Sequence, residues 1–195
     1  MGDTEKLDII FDNLFKVFSS DRFLRGQGTA GEIQSYAQTY DPKDQLAVED
    51  RIPHLIKRLS NAGIEVLEAN LYHVCMELLK KQGVLDGALE VEKGMSKAEY
   101  LEALGSQLKG EEPFADYIQE NVRHGAYRIV FMTGVGAVYP VVLVRSILPK
   151  LEGTFKDIPL VTFFPGTYDN FRFKLYGLIP MKGFYRAFNL SDYKV

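Results

Sequence analysis

In YRIVFMTGVGAVYPVVLVRSILPKL, residues 127–151, an apolar run turns through Gly134 and Gly136, meets Pro140 and continues as a stretch long enough for a crossover helix. A second continuous apolar run, IPLVTFFPG, follows at residues 158–166. Runs that are apolar at consecutive positions are buried on both faces, the habit of parallel strands covered by helices. Two parallel strands need a long connection between them, usually a helix. The stretch therefore predicts strand, glycine turn, helix and strand. That is an α/β chain with a mostly parallel central sheet, of Rossmann-like or P-loop-like topology, flanked by helices.

A glycine turn between a strand and a helix raises the question of phosphate binding. A Walker loop needs G-x-x-x-x-G-K-[ST], with backbone amides around the phosphate, a lysine to neutralise it and a hydroxyl for magnesium. TGVGAVYP, residues 133–140, has neither the lysine nor the hydroxyl at the matching places. The dinucleotide fingerprint G-x-G-x-x-G fails too, because Tyr139 stands where the third glycine belongs. The turn therefore reads as an elbow, with Gly134 and Gly136 bending the chain off the strand and Pro140 presetting the next helix. Its position still matters, since ligands of open α/β sheets bind beyond the carboxyl ends of the strands.

Working outward, FRFKLYG (171–177) alternates apolar and polar residues, as a half-exposed strand does, and FYRAFNL (184–190) is its expected hairpin partner. Upstream, LDIIFDNLFKVF places Leu7, Ile10, Phe11, Leu14 and Phe18 on one helical face, for docking on the core or for meeting a partner. A strand is expected within 31–40. Asp41-Pro42 then begins a helix running towards Gly63, which Pro53 should kink or split. IEVLEANL (64–71) reads as a strand entering the helix YHVCMELLKK. Ser96 and Glu99 form a capping box, and a further helix opens at Pro113. The acidic helical block 84–124 is expected as an insertion between two strands of one sheet, within a single α/β domain spanning 1–195.

With 195 residues, 46% of them hydrophobic, the chain can bury a full core. The start, MGDTEKLDII, lacks a basic region followed by an apolar stretch. The longest uncharged run, Ile129 to Val144, is too short to span a bilayer. The expectation is a cytoplasmic protein with no membrane partner. The one cysteine, Cys75, excludes an internal disulfide and lies in an apolar run, where a thiol is structural rather than nucleophilic. His54, His73 and His124 are scattered without a shared carboxylate, so no metal and no cofactor is expected. Charge is uneven. Residues 1–122 carry 13 Lys and Arg against 22 Asp and Glu, whereas 123–195 carry 10 against 4. The basic half could draw an anionic partner or simply complement the acidic helices.

If the two apolar strands are parallel neighbours, the Gly134–Tyr139 turn and a Pro165-Gly166 turn share one edge. The candidate rim is then Thr133, Gly134, Gly136, Tyr139, Pro140, Pro165, Gly166, Tyr168, Asp169 and Arg172, joined by Tyr185 and Arg186. Asp169 is the rim's one carboxylate, and general acid–base chemistry calls for a second titratable group or a metal. No catalytic residue is assigned. Tyrosine and arginine suit a protein interface, and they equally suit stacking on bases with phosphate contacts.

DRFLRGQG…GEI, YDPKDQLAVEDRI, NLYHVCMELL, VFMTGVGAVYP, VTFFPGTYDN and FYRAFNL occur in the order found in BrxB-type proteins of bacterial BREX phage-defence systems, and the chain resembles that family over about residues 20–190. Its most specific parts are T-G-V-G-x-V-[YF]-P, F-F-P-G-x-Y and Y-R-A-F. The resemblance implies a small cytoplasmic α/β protein without a defined catalytic activity. It implies an assembly or adaptor role beside an alkaline-phosphatase-like protein and a large ATPase. The alternative is a nucleotide- or nucleic-acid-binding protein that uses the basic C-terminal half and the glycine turn.

Overall fold

The computed structural model describes residues 3–25, 34–108, 110–151, 158–169, 172–181 and 187–193. Helix α1 (Asp3–Phe18) and the short α2 (Asp21–Leu24) precede strand β1 (Ser35–Tyr40). A 3-10 turn (Pro42–Asp44) leads into α3 (Gln45–Asn61), β2 (Val66–Asn70) and α4 (Leu71–Lys81). Helices α5 (Leu85–Val91), α6 (Lys97–Leu108) and α7 (Glu112–Arg123) come before β3 (Ile129–Thr133). Then follow α8 (Val144–Leu151), β4 (Leu160–Tyr168), β5 (Phe173–Leu175), β6 (Ile179–Pro180) and β7 (Phe188–Asn189).

The sheet runs β2-β3-β4-β1-β7, and all of these pairings are parallel. This is the α/β architecture that the apolar runs predict. In the dinucleotide-binding order, 3-2-1-4-5-6, β1 and β2 are neighbours; here β3 and β4 stand between them. β4 is the hub. Val130–Met132 pair with its first residues, Ser35–Tyr40 pair with Leu160–Pro165, and β5 runs antiparallel along Gly166–Tyr168. The hairpin expected between 171–177 and 184–190 is not formed by the described residues. β5 turns into β6, and Phe188–Asn189 pair with β1 on the opposite side of β4.

Alternation along the strands divides the core between two faces. Ile129, Phe131, Val161 and Phe163 meet α1 and α3 on one face. Val130, Met132, Leu160 and Phe164 meet α4, α7 and α8 on the other. Phe131 lies 5.3 Å from Phe18 and 5.1 Å from Phe163, ring centre to ring centre, which ties α1 to the middle of the sheet. Of the α1 residues expected to dock, Leu7, Phe11, Leu14 and Phe18 are buried, whereas Ile10 is 39% exposed.

Local signals largely hold. Helix α3 is continuous through Pro53 rather than split there. The ring sits on the exposed face, where water can serve the carbonyl that loses its partner. α3 ends where Gly63, at φ 78°, lets Ile64 N–H reach Leu59 O at 2.9 Å, a left-handed C-terminal cap. In the capping box the Ser96 amide donates to Glu99 at 3.0 Å and the Glu99 amide to Ser96 Oγ at 3.4 Å. The bonds from Ser96 hold the Glu99 carboxyl below its usual range. Phe114, Ile118 and Val122 bury one face of α7 against the sheet.

Candidate functional site

Thr133 ends β3 buried, its hydroxyl donating to Glu68 Oε1 of the neighbouring strand at 2.7 Å. Gly134 follows at φ 68°, a left-handed conformation that glycine adopts without penalty. A Cβ at Gly134 would lie 2.5 Å from Asn70 Oδ1. That oxygen is already in use: it accepts from the Tyr72 and His73 amides and caps α4. Gly136 is covered from the other side, since a Cβ there would lie 2.5 Å from the Tyr176 hydroxyl. The elbow closes on itself through Ala137 N–H to Gly134 O at 3.1 Å and Val142 N–H to Val138 O at 3.0 Å. The two glycines thus make room for Asn70 and Tyr176 of the same chain, where a phosphate loop would leave space for an anion.

Pro140 does not start the helix. It follows a cis peptide bond from Tyr139 in an irregular turn, and α8 begins at Val144. The buried Val135, Val138 and Val142 anchor the intervening turns. Tyr139 is half-buried against the core, and Pro140 is exposed. Pro165-Gly166 is not a turn at a strand exit either. Both residues are buried inside β4, and Gly166 is required because a Cβ would lie 2.1 Å from the Lys174 carbonyl of β5. Pro165 marks a change of partner: β1 pairing ends at it, and its carbonyl accepts from Tyr176 N–H at 2.8 Å.

Tyr168 is buried, and its hydroxyl donates to Ala187 O at 2.9 Å and accepts from Ala187 N at 3.0 Å. It fastens the C-terminal segment to β4. Asp169 and Arg172 are exposed and close their own turn, the Arg172 amide donating to Asp169 Oδ1 at 2.8 Å. Tyr185 and Arg186 lie outside the described residues. The expected neighbourhood of the two strands therefore exists, but among the described residues the solvent-facing part of the rim reduces to Gly136, Tyr139, Pro140, Asp169 and Arg172. Sequence reasoning missed Tyr72, 46% exposed, Tyr176, 39% exposed, and Leu178, 79% exposed. Tyr72 and Tyr176 border the two glycines, and Leu178 lies in the turn between β5 and β6. Tyr72 carried one signal: it stands two residues after Asn70, which ends β2, so the topology puts it at the carboxyl edge.

Among the described residues no group of three His, Cys, Asp or Glu is placed to hold a metal ion. Burial pushes the Cys75 thiol up to about 11, so it is protonated at neutral pH and a poor nucleophile. No described helix is long and apolar enough to cross a membrane.

The family described as "BREX protein BrxB" matches residues 67–190, which include the elbow, all of β4 and the Tyr168 fastening. The chain belongs to the BrxB family. A protein of Bacillus cereus (strain H3081.97) named BREX protein BrxB is 33% identical over 185 residues, covering 93% of this chain and 95% of that protein. Its namesake from Escherichia coli O9:H4 (strain HS) is 26% identical over 175 residues, covering 88% of this chain and 85% of the relative. No solved structure matches the chain. Membership of the BrxB family makes the chain a BREX component.

Proposed function

We propose that this BrxB-family chain is a non-catalytic assembly component of a BREX phage-defence complex, binding other proteins of the system through the carboxyl edge of its sheet. The carrying observation is the exposure of Tyr72 and Tyr176 beside the elbow glycines, with the exposed Leu178 in the turn after β5. Large aromatic and aliphatic side chains held in water by a rigid turn are what a protein interface buries, and tyrosine is enriched at such centres. Tyr139, Pro140, Asp169 and Arg172 extend the surface. The alkaline-phosphatase-like protein and the large ATPase of such systems are the partners proposed.

The experiment is co-purification of the tagged chain with the products of the neighbouring genes, repeated with Tyr176→Ala, Tyr72→Ala and Arg172→Ala. Retention of a partner by the wild type and its loss in the tyrosine variants is the expected result. A wild-type chain that retains none of these proteins overturns the reading.

A further inference from the structure

α3, which follows β1, packs on one face of the sheet, while α8, which precedes β4, packs on the other. β1 and β4 are neighbours, and ligands of open α/β sheets settle outside the carboxyl ends of strands. At the carboxyl end of β1, on the face covered by α1 and α3, lies a depression of about 70 Å³ whose walls include Ile10 and Phe11 of α1, Tyr40, Asp41, Asp44 and Phe163. The space is of the order of one aliphatic side chain or a few waters.

Three features indicate what fits it. Ile10, a wall of the depression, is 39% exposed, and Leu46, two residues after Asp44 in the first turn of α3, is 81% exposed. Asp44 occupies the N-cap position of α3, where an aspartate ordinarily accepts from a backbone amide. It makes no such bond, and Asp44, half-buried, is one of the residues lining the depression. Charge in the adjoining segment is acidic on balance: residues 41–51 carry Asp41, Asp44, Glu49 and Asp50 against Lys43, which lies 3.9 Å from Asp41, and Arg51, which pairs with Asp8 of α1. The wall is also fixed in place. Tyr40 donates its hydroxyl proton to Gln45 Oε1 at 2.7 Å, and the Gln45 amide donates in turn to Glu49. Burial raises the Tyr40 phenol well above its ordinary value, so it stays a donor at any physiological pH.

Such a site repels phosphate and attracts a cation with an apolar neighbour. We propose that this depression is a docking socket for a basic amphipathic segment of a partner protein. The segment seats an aliphatic side chain on Ile10, with the exposed Leu46 of the following helix turn as a further apolar contact, and sets a Lys or Arg against Asp44. The socket deepens the assembly reading and rests on it for the existence of a partner. One strand separates it from the elbow surface: Tyr40 at its wall is paired with Pro165, whose carbonyl accepts from Tyr176 N–H at 2.8 Å.

The test is an array of overlapping peptides tiled across the other proteins of the system. It is probed with the purified chain and with the double variant Asp44→Lys/Leu46→Arg, whose folding is checked by its thermal transition. Captured peptides should carry Lys or Arg flanking an aliphatic residue, and the variant should bind them at least tenfold more weakly. Capture of peptides without basic residues, equal capture by the variant, or no capture at all overturns the socket. Co-purification of the full-length proteins separates the two readings. Partners retained equally by wild type and variant remove the socket and leave the assembly role standing, whereas a wild type that retains none removes the assembly role itself.

Discussion

Replacing Gly134 with alanine tests whether the elbow glycine serves the helix cap beside it. The new residue must hold φ near 68°, which costs an L-residue about 1–2 kcal/mol. Its Cβ would also lie 2.5 Å from Asn70 Oδ1. That atom ends a side chain, but moving it breaks the bonds to the Tyr72 and His73 amides, and losing a cap costs about 1 kcal/mol. Gly134→Ala should therefore cost about 2–3 kcal/mol. Asn70→Ala alone should cost about 1 kcal/mol. The double variant should cost about as much as Gly134→Ala, because the cap can be lost only once, leaving a coupling of about 1 kcal/mol. Urea denaturation of the four proteins, with the slope of the transition checked for constancy, measures all of this. Additivity within about 0.3 kcal/mol would refute the shared-cap argument even if each single variant were destabilised as expected.

Three further outcomes follow from the packing. Phe163→Ala empties the contact between β4, Phe131 and Phe11 and should cost about 3–5 kcal/mol, read from the same denaturation. Tyr168→Phe leaves the Ala187 amide and carbonyl without their shared partner. It should cost about 1–3 kcal/mol and speed hydrogen exchange in 187–193 more than in β3. Burial pushes the Tyr36 phenol from 10.0 up to about 12, with Tyr193 adding to the rise. The raised value means that its contribution is complete below pH 10 and is lost as pH climbs towards 12. The thermal midpoint should fall across that window, and less steeply in Tyr36→Phe; identical profiles would refute the assignment.

The class of fold was legible because β3 and β4 are apolar at nearly every position, a pattern that local sequence states outright. The strand order was not. β1 carries Ser35 and Gln38, both buried, and polar residues in a central strand dilute the signal that elsewhere marks depth in the sheet. Pro165-Gly166 misled for a physical reason. Proline and glycine mark a break in local pairing, and here the break is β4 exchanging β1 and β3 for β5 while the strand runs on. The elbow glycines were read correctly as a bend, but the groups that need them, Asn70 and Tyr176, come from distant parts of the chain, beyond any local pattern. The rim was half legible. Spacing gave the edge, yet exposure depends on which tyrosines find partners, and Tyr168 found one while Tyr72 and Tyr176 stayed partly exposed.

The position of β4 as hub also sets the order in which the molecule can be built. Ser35 pairs with Leu160, so roughly 125 residues separate the two halves of the longest ladder, and closing such a loop is slow. On the ribosome β2 and β3 can join first, since their crossover is complete before β4 is made. β1 must wait, its backbone unpaired and Tyr36 and Ala37 uncovered, until 160–165 have left the exit tunnel. A nascent chain stalled before that point carries an open strand of the kind that chaperones hold and aggregates recruit.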